Sequence, residues 1–220
     1  MVKSSSSSNI INLALADDLF AAEPSDQSTY RTLLADCDQV GAYPTLLADS
    51  AETLFQQLTD DINWQSETIV MYGRKVTVPR LVAWYGDKGA SYRYSGVIHH
   101  PLPWIEPLSL IRRQLEQVTG ARFNSVLANL YRDGHDYMGW HSDNESELGT
   151  EPTIASVSLG GPRFFDFRNN QSQDKYRVEL VPGSVLVMKG QFQQQWQHQV
   201  PKQLRVTQPR INLTYRFIHF

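Results

Sequence analysis

The chain has 220 residues, is 41% hydrophobic and 20% charged, and carries a formal net charge of −3. That length suits one domain with a substantial core. The lack of any apolar run of about 18 residues excludes a transmembrane helix. The single cysteine, Cys37, cannot close an internal disulfide and fits a reducing compartment.

Residues 1–28 open on Met1-Val2-Lys3 and five serines, without the apolar stretch of a signal peptide, so secretion is not expected. They are expected to form a flexible or weakly structured segment with at most one short helix over 13–22, leaving residues 29–220 as a single domain. Ser50 is placed to cap a helix over 51–63, where Leu54, Phe55, Leu58 and Ile62 recur at helical spacing. The runs 67–72 and 92–97 read as strands that extend a sheet. A second helix is predicted over 107–119, with the stripe Leu108, Ile111, Leu115 and Val118 and Gly120 at its C-terminal cap.

Beyond Gly120 the apolar period changes from helical to two. Strands are predicted over 126–131, 153–159, 163–168, 176–181, 184–188 and 210–217, separated by Gly160-Gly161-Pro162 and Pro182-Gly183. Many short strands after two helices predict a mainly β fold with flanking helices, a sandwich or jelly roll. The run 191–199 holds six glutamines and reads as a loop before His198.

The residues that carry chemistry lie on this β region. In an extended chain residues i and i+2 share a face, so His141 and Asp143 can both point inward. His198 has to arrive from a distant strand. Two imidazoles and a carboxylate with open positions suit non-haem Fe(II), and a Zn²⁺ site can present the same residues. In the last strand Ile211, Leu213, Tyr215 and Phe217 alternate with Arg210, Asn212, Thr214 and Arg216. The polar set can bind a carboxylate in two-pronged fashion. Because six strand residues span about 20 Å, Arg210 is preferred over Arg216 as the residue beside a small dicarboxylate.

These stretches together resemble the AlkB-type Fe(II)/2-oxoglutarate dioxygenases, in particular their DNA-repair branch. The likeness is carried by Asn129-Leu130-Tyr131, His141-Ser142-Asp143, His198 and 210–216. Upstream it runs through Pro79-Arg80, Tyr85-Gly86-Asp87, 92–96, Pro103-Trp104-Ile105 and 154–160, so it covers roughly residues 65–220. It implies a double-stranded β-helix (jelly roll) and a catalytic domain that needs Fe(II), 2-oxoglutarate and O₂.

The resemblance also implies roles. His141, Asp143 and His198 would bind iron. Asn129, Tyr131, Arg210, Asn212, Thr214 and Arg216 would hold 2-oxoglutarate. Tyr72, Gly73, Arg74, Arg80, Tyr92, Arg93, Tyr94, Ser95, Asn144 and Glu145 would contact substrate. The implied reaction is oxidative removal of alkyl groups from bases of single- or double-stranded DNA, with release of formaldehyde. The implied worker is a monomer without membrane attachment, in the cytoplasm, at the nucleoid or in the nucleus.

An alkylated base must leave the stack to reach a buried metal, at a cost of a few kcal/mol. Stacking on an aromatic such as Tyr94 is worth about 1–3 kcal/mol per base. Charge distribution is compatible with such a substrate. Residues 1–67 carry 11 acidic and 2 basic side chains, and residues 68–220 carry 12 and 18. The main body is thus mildly basic, and Arg74, Lys75, Arg80, Arg163, Arg168 and Lys202 are candidates to meet phosphates. Alternatives remain open: the same chemistry on RNA, protein or lipid, a nucleic-acid-binding module without chemistry, and a zinc hydrolase.

Overall fold

The computed structural model describes residues 10–13, 29–35, 37–71, 73–94 and 97–220, with backbone alone for 69–71, 92–94 and 97–99. In chain order the strands are β1 (Ile10–Leu13), β2 (Arg31–Leu34), β3 (Cys37–Tyr43), β4 (Gln65–Met71), β5 (Arg74–Gly86), β6 (Tyr92–Tyr94), β7 (Val97–His99), β8 (Ser125–Tyr131), β9 (Met138–His141), β10 (Ile154–Gly160), β11 (Arg163–Asn169), β12 (Lys175–Leu180), β13 (Val185–Met188), β14 (Trp196–Val200) and β15 (Arg210–Arg216). The helices are α1 (Ala51–Asp61), α2 (Glu106–Thr119) and the short α3 (Phe192–Gln195).

Eight strands in the order β2-β3-β13-β10-β15-β8-β5-β4 form a large sheet, and β1-β12-β11-β14-β9 a smaller one. Pairing is antiparallel except between β1 and β12. The alternation seen in the sequence decides what each face meets. Val157, Leu159, Ile211, Leu213 and Tyr215 join Leu58 of α1 and Leu108, Ile111 and Leu115 of α2 in one core outside the large sheet. Ile154, Leu186 and Met188 join Phe165, Phe167, Val178, Trp196 and Val200 in a second core between the sheets. Burying each such Leu, Ile or Phe contributes about 1.5–3 kcal/mol. The architecture is the expected jelly roll with helices on one face.

Helix α2 ends at Gly120, whose φ of 69° is left-handed, as its position after the apolar stripe requires. Two tyrosines tie this helix to the sheet: Tyr215 donates to the Leu108 carbonyl (2.9 Å) and Tyr43 to that of Val118 (2.8 Å).

Several expectations are corrected. Ser50 stands at the N-cap position of α1 as expected, but its side chain makes no capping bond; it ends a 3₁₀ turn running into the helix, and its hydroxyl donates back to the Leu47 carbonyl. Residues 92–94 do not join the large sheet but pair, as β6, with β7 in a separate two-stranded sheet. The glutamine run is no loop, because Phe192 and Trp196 anchor it in the second core as α3 and β14. Within the segment expected to be weakly structured, Ile10–Leu13 pairs with β12, and Leu13 packs against the same core. The remainder of the helix expected over 13–22 lies outside the described residues.

Candidate active site

Two adjacent strands bring the imidazoles together. β9 pairs with β14, and His141 lies directly opposite His198; their ring centroids are 4.2 Å apart. The next pair is Met138 with Val200, so three steps along β9 answer to two along β14. This is a β-bulge, which re-aims side chains. It lets Met138 and His141 both line the central cavity, while the half-buried Trp140 between them lies against the Arg168 guanidinium (4.6 Å). The bulge also turns the Gly139 carbonyl toward His141, whose Nδ1 donates to it (2.8 Å). A carbonyl can only accept, so the proton sits on Nδ1 and the Nε2 lone pair is left for a metal.

Asp143 follows the end of β9. Its backbone N–H donates to Oε1 of the buried Gln193 (2.9 Å), and the preceding Ser142 hydroxyl donates to the Trp196 carbonyl (2.8 Å). The glutamine-rich segment therefore clamps the Asp143 loop to the strand that carries His198. Ligating atoms of His141, Asp143 and His198 lie within 4.8 Å of one another.

The electrostatics suit a cation. Burial opposes ionisation of the Asp143 carboxyl, but Arg216, His198 and His141 around it hold its pKa at about 2. Burial, with His141 and Arg216 beside it, pulls the His198 imidazole down to about 3 against the attraction of Asp143. Both groups thus stand in the forms that bind metal: anionic carboxylate and neutral imidazole.

The cavity above this triad has a volume of about 610 Å³. Its floor is the inner face of β8, β15 and β10, where Asn212 is paired in register with both Asn129 and Ser158. Every residue of β15 is buried, so the polar face is no wet surface. Arg216 donates to Asp143 Oδ1 (2.8 Å). Arg210 donates to the Ser158 hydroxyl (2.9 Å) and stacks on the Tyr131 ring (5.5 Å). Its Nε and Nη1 are buried with no hydrogen-bond partner among the described residues, and burial depresses its pKa to about 10. A buried cation with unsatisfied N–H groups is a costly arrangement unless an anion completes it, and a dicarboxylate fits.

The expected site residues divide clearly. Arg80, Asn129, Tyr131, His141, Asp143, Glu145, His198, Asn212, Thr214 and Arg216 line the cavity. Arg210 lies against Tyr131 and is not on the wall, whereas Arg216 reaches Asp143 of the triad. Asn144 is exposed. Gly73 and Arg74 are exposed, Arg74 at the start of β5 opposite Met71. Tyr92, Arg93 and Tyr94 form strand β6, while Tyr72 and Ser95 lie outside the described residues. Arg163 is not a phosphate contact. It is fully buried and donates to the carbonyls of Asp133, Asp136 and Pro201 and to the Gln203 side chain.

Gln193, Ser142 and the Gly139 carbonyl went unrecognised in the sequence, as did the wall residues Gln65, Ser66, Glu67, Thr68 and His100. Ser156 and Ser158 had a signal, since both fall on one face of β10.

Two histidines and a carboxylate inside a jelly roll, above a floor of buried arginines, define a mononuclear iron oxygenase site of the keto-acid-dependent kind. The family model described as "2OG-Fe(II) oxygenase superfamily" matches residues 39–216. The chain belongs to this superfamily and, within it, to the AlkB group. It is 39% identical over 179 residues to human "DNA oxidative demethylase ALKBH2", covering 76% of this chain and 69% of that one. It is 38% identical over 179 residues to "Alpha-ketoglutarate-dependent dioxygenase alkB homolog 3" of Bos taurus, covering 77% and 62%. The chain thus spans less than two thirds of the length of that relative. The solved structure entitled "The structure of OsALKBH1" superposes with a TM-score of 0.58 at 18% identity, covering 81% of this chain and 97% of that one; this likeness concerns the fold.

Proposed function

We propose that this chain oxidatively removes alkyl groups from N-alkylated bases in DNA, repairing alkylation damage and releasing formaldehyde. The observation that carries this reading is the opening of the His141–Asp143–His198 triad onto a cavity of about 610 Å³. That is more room than a keto acid needs and is of the size that encloses a ligand such as a base turned out of its helix. The name of the human relative, DNA oxidative demethylase, supports the same substrate.

Iron with 2-oxoglutarate and O₂ supplies a two-electron oxidation of a C–H bond, the keto acid leaving as succinate and CO₂. The chain's own residues place the reactants. His141, Asp143 and His198 would hold the metal, with Gln193 and Ser142 keeping the Asp143 loop in place. Arg210 and Arg216 would neutralise the cosubstrate's carboxylates, with Asn129, Tyr131, Asn212 and Thr214 completing its seat. Arg80 and Glu145 would face the base from the wall. Tyr72, Gly73 and Arg74, together with Tyr92, Arg93, Tyr94, Ser95 and Asn144, would meet the strand. Oxidation at the N-alkyl carbon gives an N–CH₂OH group, which loses formaldehyde and returns the N–H base.

We take the acting unit to be one copy of residues 29–220 with the β1 strand docked on it, working in the cytoplasm, at the nucleoid or in the nucleus. The test supplies methylated single-stranded DNA, duplex DNA and RNA with Fe(II), 2-oxoglutarate and O₂, and measures formaldehyde and base mass. Demethylation of DNA, lost in Asp143→Ala, is expected. Demethylation of RNA alone would move the substrate class, and succinate without loss of methyl from any oligonucleotide would overturn the proposal.

A further inference from the structure

We propose that Arg80, on the substrate wall of the cavity, is a positioning residue for the cosubstrate and acts through Asn129. This rests on the reading of the floor as the 2-oxoglutarate seat. Arg80 is 4% exposed on β5, and its Nε donates to Asn129 Oδ1 (2.7 Å). Among the described residues no carboxylate is paired with it. Its one hydrogen-bond partner among the described residues is a neutral amide oxygen, 49 residues away in the chain.

The chemistry of that contact fixes the floor. A guanidinium can only donate, so Asn129 must turn its oxygen to Arg80 and its amide nitrogen away. The nitrogen then reaches Asn212 Oδ1 (3.4 Å), which also accepts from the Thr214 hydroxyl (3.0 Å). With its oxygen occupied, Asn212 donates from Nδ2 to the Ser156 hydroxyl (2.7 Å) and the Val157 carbonyl (3.2 Å). The far end is pinned as firmly as the near one, because a carbonyl can only accept. Every link in the chain Arg80–Asn129–Asn212–Ser156 therefore runs in one direction.

The direction matters for what the floor offers. Ser156 accepts from Asn212, so its own proton remains for the cavity it lines. The second N–H of Asn129 is also left over, since its oxygen is taken by Arg80. Both remaining groups are donors, and a carboxylate is an acceptor. Without Arg80, Asn129 Oδ1 would be a buried oxygen without a donor, an arrangement that favours rotation of the side chain and turns an acceptor toward the ligand. A residue on the substrate side thereby controls the polarity of the cosubstrate side.

The test is calorimetric binding of 2-oxoglutarate to Mn(II)-loaded protein without nucleic acid. Arg80→Met should weaken binding about tenfold, the equivalent of one hydrogen bond. The same substitution on an Asn129→Ala background should cost nothing further, because the effect passes through Asn129. Unchanged affinity in Arg80→Met, or additive losses in the double variant, would overturn the inference and leave Arg80 to the nucleic acid alone.

Should Arg80→Met fail to fold, Arg80→Lys and Arg80→Gln decide. Lysine can only donate and should hold the chain's direction, whereas glutamine can accept and should bind more weakly; equal affinities would overturn the inference. Wild-type protein that binds no 2-oxoglutarate would instead sink the cosubstrate reading itself.

Discussion

Arg216 and Asp143 meet in a buried ion pair of 2.8 Å inside the metal triad. One carboxylate oxygen is thus held by the guanidinium, and the other, 3.9 Å from His198 Nε2, faces the metal position. Removing one partner of a buried pair costs about 3–5 kcal/mol. Arg216→Gln should therefore destabilise the metal-free protein by that amount in urea unfolding. Mn(II) should recover part of the loss, since the cation takes over as counter-charge. Equal penalties with and without metal would show that Asp143 does not face the bound ion.

Gln193 tests how far the metal site is organised before metal arrives. It is buried and accepts from the Asp143 N–H. Gln193→Leu keeps the volume and removes the acceptor. Second-layer partners of this kind are worth about 10–100-fold in metal affinity, and a loss in that range should appear in Mn(II) titration. An unaltered dissociation constant would reduce Gln193 to packing.

Arg163 should matter to stability rather than chemistry. Its guanidinium satisfies three backbone carbonyls and the Gln203 side chain from a fully buried position. Arg163→Met strands those carbonyls, at a cost of about 3 kcal/mol or more. Denaturant unfolding measures it. In protein that remains folded, nucleic-acid affinity should be untouched, which separates this residue from a phosphate contact.

Tyr30 gives a pH signature. Burial, reinforced by Tyr43, Asp38 and Cys37, pushes its pKa up to about 12. The folded state therefore keeps the phenol proton more tightly than the unfolded state does. The associated stability is complete below pH 10 and is lost as pH rises toward 12. Its hydroxyl is buried without a partner among the described residues, so Tyr30→Phe should be neutral or stabilising at pH 7. The same change should flatten the stability curve between pH 10 and 12. An unchanged alkaline slope would assign the titration to another group.

Much of the site was legible because its residues repeat with the period of a strand. Arg210, Asn212, Thr214 and Arg216 fall on one face of β15 by simple alternation, and His141 and Asp143 share the i, i+2 spacing, whereas the strand that carries His198 was read as a loop. What stayed hidden depends on pairing. Nothing local in the sequence says that Gln193 will meet an amide 50 positions earlier, or that three residues of β9 will answer to two of β14. Arg163 and Arg210 look alike in sequence, yet one staples loops and the other sits under the floor; their partners are carbonyls and hydroxyls far along the chain. Ser50 had the composition of a cap but lay inside a 3₁₀ turn, where its hydroxyl found a nearer acceptor.

The bulge in β9 makes spacing a functional property in its own right. Since Met138 and His141 face the same interior only because β9 carries one extra residue opposite the span from Val200 to His198 of the partner strand, deleting a single residue at Gly139 would swing an imidazole away without altering any ligand. A transplant of this centre onto another barrel would have to copy the miscount between two neighbouring strands as faithfully as the three ligands.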